Sequence, residues 1–543
     1  MASIKKHYTD TPKIKYTPSN FFAGLYVALM FTVFPLFLSN YYGRVRRDKF
    51  WVLIILTTVT SVIIAAIYAY NLFISKKNKK KLTTSQGFKF SICDYSFFAF
   101  FIISAISTFT TKHGVLHSLT GYTNSNPNAG RSMGLIMYAL LFIMYLIISR
   151  QFYFKPQVFG AIFAGGAAVT LLAIVNYYYI DPLGLFKYYT NDPMVTINFT
   201  STLGNKNYLS AFVCVLLPFS VGVAMTSQNK KTIIAAHIST AIQFMGLLVA
   251  TSDGGFLGLI ALVFITPVLI SREPLKLAKF FFSLTVMALS ANTLRLFDLI
   301  MGGNSKGYIG ISQVFMSGYL SLVLVVVFAL LTAIFVFLHI KRGGKMLPKY
   351  VFYAVLSVAV LVALSVVSVI VYYTFINKDR ELTGFKAFLR FNDDWGTHRG
   401  FFWKRSLNIW KYDFNLWQKL FGSGPETFYA SFEPYFAELY NRYTEGSSNA
   451  AHNVYVNMLI THGVLGLLSY ITIIAVAILK AIKNSFKNPL AFVCLLVLIT
   501  YVCQDFVNIA NPINTPLFFV FISLSAASDL PQNTQQQLAK SEF

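Results

Sequence analysis

Apolar runs of eighteen or more residues recur along this chain, and no other feature narrows its fold so far. Each run is long enough to cross roughly 30 Å of hydrocarbon as a helix. Spanning segments must satisfy their own backbone hydrogen bonds, and the runs lack the alternation of a transmembrane β-barrel. With 56% hydrophobic and only 12% charged residues, the chain reads as an all-α polytopic membrane protein. About fourteen transmembrane helices (12–14) are expected, at 21–42, 50–74, 92–111, 133–150, 158–179, 207–227, 233–251, 254–271, 279–299, 312–340, 350–376, 454–479, 490–509 and 516–529.

A formal net charge of +25 would suit a nucleic-acid partner, but the basic residues lie in short clusters between apolar runs. That distribution is the positive-inside bias of a membrane protein, and no nucleic-acid partner is expected. The clusters at Lys76 to Lys81, Arg150 with Lys155, Lys230-Lys231, Arg272 to Lys279, Lys341 to Lys349 and Lys480 to Lys487 fall on one side if the spans alternate. Lys5, Lys6, Lys13 and Lys15 join them, so both termini are expected in the cytoplasm. Arg44, Arg46, Arg47 and Lys49 fall on the opposite side. The plainer account is that one of the first two runs is not a full span; the other is a basic site for an anionic lipid head group. Cys93, Cys214, Cys494 and Cys503 all lie in apolar runs without metal-ligand spacing, and Met1 to Asn20 lacks a cleavable signal pattern.

One polar stretch, from Asn377 to Asn453, interrupts the runs and holds four of the five tryptophans. It divides the chain into an N-terminal bundle (1–376), an external catalytic loop (377–453), C-terminal membrane helices (454–529) and a disordered cytoplasmic tail (530–543). From Arg399 to Leu420 the spacing of Arg399, Trp403, Leu407, Trp410, Phe414 and Trp417 predicts one helical face, ended by Gly422. Such a helix is expected to lie flat on the external membrane surface, rings down, with Asp394 or Thr397 capping its start. Arg399 near that start is placed where an anion would also meet free backbone N–H groups.

His452 stands where the chain re-enters the membrane, able to accept a proton near neutral pH, although a boundary histidine is more often a hydrogen-bonded structural residue. Glu426, in a Gly-Pro-Glu turn, is a competing base. Lys206 either reaches an anion or merely ends a loop. Arg131 reads as a packing or topology residue, His398 as a surface residue, and His237, His339 and His462 as helix-packing residues. Asp505, inside an apolar run, is either functional or a tie between helices.

Several segments together resemble the O-antigen ligase and polymerase superfamily. They are Arg399-(x3)-Trp403, Gly422-Ser423-Gly424-(x3)-Phe428, and Ala451-His452-Asn453-Val454-Tyr455 followed by His462-Gly463-Val464-Leu465-Gly466. Upstream, Gly204-Asn205-Lys206-Asn207 resembles the family's Gly-Asn-x-Asn segment. Asp505-Phe506, with Pro512 and Pro516, extends the match to cover residues 200 to 520. The family often has Ser-Arg-Gly where this chain has Ser252-Asp253-Gly254, so another base, Lys206 or Arg131, must hold a phosphate here, or the substrate differs.

The resemblance implies a metal-independent glycosyltransferase, without cofactor, in the cytoplasmic (inner) membrane. Its donor would be an undecaprenyl-diphosphate-linked glycan and its acceptor another glycan, a cell-surface anchor or a protein. His452 would be the base or acceptor-orienting group and Arg399 the stabiliser of the departing diphosphate. Lys206, Asn205, Asn207, Arg131, Asn453 and Glu426 would bind substrate. A transporter or flippase of lipid-linked oligosaccharide is the alternative, and would need internal repeats and key residues within the spans.

Overall fold

A backbone in hydrocarbon has no water to bond with, and this chain answers with helices throughout; no strand occurs among the described residues. A computed structural model describes residues 16–39, 44–77, 90–121, 130–185, 198–382, 384–530 and 533. Lys5, Lys6, Lys13, Lys15 and the Lys79 to Lys81 part of the first basic cluster lie outside them. Among the described residues twelve helices are long and apolar enough to cross a membrane, and two shorter apolar ones join them.

In chain order the first five are α1 (Pro18–Leu36), α2 (Val45–Lys77), α3 (Ile92–Phe109), α4 (Leu135–Gln151) and α5 (Pro156–Tyr177). Then come α6 (Lys206–Thr226), α7 (Lys230–Ala250), α8 (Asp253–Ile270), α9 (Pro274–Ile300), α10 (Leu320–Lys341) and α11 (Lys349–Ile376). Beyond the polar stretch lie α12 (Val454–Ser485), α13 (Pro489–Val507) and α14 (Thr515–Ala527). The chain is therefore an all-α, multi-pass membrane protein.

Burial grades the bundle. α6 is buried along nearly its whole length and packs against α7, α8 and α13. α12 packs on α3 and α13, and α14 on α4. At the edge, α10 buries only Ser321 and packs on α9, while α11 buries no residue. Short polar side chains start many helices, each accepting from otherwise unpaired N–H groups: Ser91 on α3, Asn205 on α6, Asn229 on α7, Asn453 on α12 and Asn488 on α13.

The first hairpin corrects one expectation. Both of its runs are full-length apolar helices, so a missing span does not explain the basic residues between them. Part of the cluster is used to close the corner. Lys49 is buried, with Nζ donating to the carbonyls of Pro35 (2.9 Å) and Phe37 (2.5 Å). The Asp48 carboxylate accepts from the Ser39 N–H and hydroxyl, both at 2.7 Å.

The polar stretch also departs from the single flat helix. Gly396, Thr397 and His398 are left-handed, so the right-handed helix within Trp395–Asn408 starts only at Arg399. A π-turn, Ile409–Asp413, and extended Phe414 then separate it from Leu416–Phe421. Asp394 does not cap the helix; it accepts from the Tyr443 hydroxyl instead (2.8 Å). The buried face is Phe401, Phe402 and Ile409, packed with Phe414, Phe428, Phe432 and Leu439, and Leu407 is exposed. Trp403 and Trp410 pack on this small core, with Nε1 donating to Ala451 O (3.1 Å) and Lys419 O (3.3 Å). The stretch is long enough to build a small aromatic core of its own, and of the predicted face's tryptophans Trp417 alone stays exposed.

The tail read as disordered lies outside the described residues except at its start. There Asn533 is fully buried and donates to Phe152 O (2.9 Å) while accepting from Phe154 N (2.8 Å).

Candidate functional site

Two glycines set the floor of the site. At Gly463 (φ 68°, ψ −172°) α12 breaks, which frees carbonyls one turn earlier. Ser423 N and Gly424 N donate to Ile460 O (2.9 Å) and Thr461 O (3.0 Å), and Ser107 Oγ adds a bond to Thr461 O (2.9 Å). The crossing is so close that a Cβ on Gly422 would stand 2.3 Å from Thr461 C, and one on Gly463 2.3 Å from Leu420 O. The turn that carries Glu426 is thereby bolted to the break. His462 packs between Phe100 and Tyr138, as a helix-packing residue would.

Above this floor Glu426, itself left-handed, turns its carboxylate to the Arg131 N–H, and its carbonyl accepts from His117 Nε2 (3.0 Å). Arg131, just before α4, is buried and donates from Nη2 to Asn449 Oδ1. Burial pushes its guanidinium down to about 10, still charged at neutral pH, with Glu426 opposing the shift. Burial likewise raises the Glu426 carboxyl, against the pull of Arg131, His117 and Arg46.

His452 (φ 51°) stands beside Phe402, with ring centroids 5.6 Å apart. Burial, then the guanidiniums of Arg399 and Arg131, lower its imidazole to about 3, so it is neutral across the physiological range. Arg399 reaches over from the loop helix, donating from Nε to Val507 O at the end of α13 (3.0 Å) and from Nη1 to Gly396 O. Burial lowers its guanidinium while Asp253 holds it up. The same Asp253 lies within electrostatic reach of Lys206. The Asp253 carboxylate accepts from Ile311 N (2.9 Å), which seats the helix Gly310–Met316 on the first turn of α8.

Lys206, Asp253, Arg399, His452, Arg131 and Glu426 thus form a series in which each lies within electrostatic reach of the next. The asparagines do different work. Asn205 Oδ1 accepts from Asn207 N (2.8 Å) and Asn453 Oδ1 from Tyr455 N and Val456 N, so both oxygens are engaged as helix caps. Asn207 accepts from Ser252 Oγ (2.8 Å), tying the start of α6 to α8. Asp505 is buried and bonded by Gln504, which accepts from Asn508. His398 is half-buried, with Nδ1 2.9 Å from Glu445 and its ring stacked on Tyr443. Asn449, which meets Arg131, carried no signal in the sequence, whereas Arg46 belongs to the basic cluster already singled out there.

Immediately below Asp253 an apolar groove of about 390 Å³ opens. Phe256, Ile260 and Phe264 of α8, Met287 of α9, Phe315, and Phe328 of α10 are among its walls. Ile260, Phe264 and Val314 are exposed along its edge, so it opens on the outer surface of the bundle. Among the described residues no group of three or more His, Cys, Asp or Glu side chains is arranged to hold a metal ion.

Fold and site define a multi-pass helical membrane protein with a cluster of buried basic residues beside an apolar groove. Residues 308–471 match the family model described as O-antigen ligase, a span that includes Arg399, Glu426 and His452 but not Arg131 or Lys206. Over that span the chain is similar to the O-antigen ligase family, and the match supports an O-antigen ligase-like membrane glycosyltransferase in general. No curated protein matches it.

Proposed function

We propose that the protein moves a glycan from an undecaprenyl-diphosphate donor to an acceptor hydroxyl, on the external face of the cytoplasmic membrane and without a metal ion. Both termini are then cytoplasmic. Residues 377–453 form the catalytic wall between the bundle halves 1–376 and 454–529. The observation that carries this reading is neutral His452 flanked by Arg399 and Arg131, with the apolar groove beginning a turn away from Asp253.

The chemistry follows from that arrangement. The acceptor oxygen attacks the anomeric carbon as its proton passes to the His452 imidazole. The bond from that carbon to the diphosphate breaks, and undecaprenyl diphosphate leaves with the electron pair; a single displacement inverts the centre. Arg399, Arg131 and Lys206 meet the charge that grows on the leaving group, the guanidiniums through forked hydrogen bonds. Arg131 and Lys206 thus supply what an arginine at position 253 would. Glu426 holds Arg131 in place, and Asn205, Asn207 and Asn453 fix the helix starts around the substrate. The groove takes the first part of the isoprenoid tail.

The test uses purified protein in nanodiscs with a lipid-diphosphate glycan and an acceptor. Release of undecaprenyl diphosphate is expected, lowered about 10²–10³-fold by Arg399→Ala and about 10²–10⁴-fold by His452→Ala. Full activity in both variants would remove those residues from the reaction. Movement of the donor across the bilayer without product would instead make the protein a flippase.

A further inference from the structure

The basic cluster at the start of α2 is only partly accounted for by the corner that Lys49 and Asp48 close. Arg46, half-buried, points the other way. Its Nη1 donates to Gly130 O (3.3 Å), and it lies within electrostatic reach of both Arg131 and Glu426. The backbone holds it there from both sides. Val45 packs so tightly on the turn before Lys206 that a Cβ on Gly204 would lie 3.0 Å from Val45 Cγ2, and Gly130 leads directly into Arg131.

We propose that Arg46 is a ligand of the donor's diphosphate, completing a cationic clamp with Arg131. The proposal rests on the donor class given above. Charge argues for it. Arg46, Arg131, Arg399 and Lys206 face two carboxylates, Asp253 and Glu426, beside a neutral histidine. The formal excess of two positive charges matches the dianion of a diphosphate diester; without Arg46 the pocket would be one charge short. It also explains why a hairpin keeps basic residues at the end where the positive-inside bias disfavours them. Arg46 and Arg131 would hold one phosphate, with Arg399 and Lys206 on the other side of His452 meeting the second.

The experiment measures the donor KM, the acceptor KM and the inhibition constant of inorganic pyrophosphate for full-length protein in nanodiscs. Arg46→Gln keeps a donor for Gly130 O while removing the charge. It is expected to raise the donor KM and the pyrophosphate constant about 10- to 100-fold, the loss of one charge-assisted contact, with the acceptor KM unchanged. Arg46→Lys keeps the charge without the fork and is expected to fall between, and exposed Arg44→Ala to match the parent. Wild-type pyrophosphate inhibition and donor KM in a folded Arg46→Gln or Arg46→Lys protein would overturn the assignment alone. A parent protein that neither transfers glycan nor binds pyrophosphate would sink the functional reading and the assignment with it.

Discussion

Burial and two guanidiniums oppose protonation of His452, lowering its imidazole to about 3. Under the proposed mechanism the donor's dianion changes that balance: once Arg399 and Arg131 are paired with phosphate, they repel an imidazolium less. The acid limb of kcat, which reports the loaded enzyme, should therefore lie at higher pH than any limb that His452 gives to kcat/KM, which reports the free enzyme. Coincident limbs in pH–rate profiles would contradict this. The same shift makes a stability prediction. His452 titrates near 6.5 unfolded and about 3 folded, so its neutral form favours folding fully above pH 6.5 and progressively less as pH falls toward 3. Thermal melts from pH 7 to 4 should lose less stability in His452→Asn than in the parent. The roles proposed for His452 and Arg399 come from motif order. That of Arg131 could not, because a lone basic residue before a span looks like a topology signal until Glu426 and Asn449 are seen around it.

At the scale of elements, the close crossing of the Gly422 turn and the α12 break organises the site. Neither glycine can take a side chain: both have positive φ, and a Cβ at either meets backbone, not a flexible chain end. Gly463→Ala should lower the melting temperature by an amount equivalent to about 2 kcal/mol or more and abolish transfer, since the Glu426 turn hangs from the carbonyls the break frees. Gly160→Ala is the control: it lies in α5 with open space around it and should be neutral or slightly stabilising. A melting temperature unchanged by Gly463→Ala would mean that the crossing can relax. Spans were legible here because eighteen apolar residues admit few alternatives. The loop was not, because its tryptophan period survives on paper across a π-turn and a three-residue left-handed start that only the tertiary packing of Phe401, Phe402 and Phe432 imposes.

Across the whole molecule, stability is distributed unevenly. α6 and α13 are enclosed on nearly all sides, whereas α11 buries nothing and still delivers the chain to the polar stretch through the π-turn Tyr372–Ile376. Arg390 secures that junction by donating to Tyr373 O and Asn377 O, each at 3.1 Å. Hydrogen–deuterium exchange in nanodiscs should find α6 and α13 amides among the slowest and those of α11 among the fastest of the long helices. Equal protection would indicate that α11 is held by something beyond this chain.

The groove beside Asp253 has a kinetic consequence. Under the proposed function its open, apolar edge lies against lipid instead of water, so an isoprenoid chain sliding in from the leaflet would never cross an aqueous gap. The penalty of about 0.8 kcal/mol for each methylene extracted into water drops out of the encounter. Capture becomes a two-dimensional search, governed by lateral diffusion and by how crowded the donor is in its leaflet.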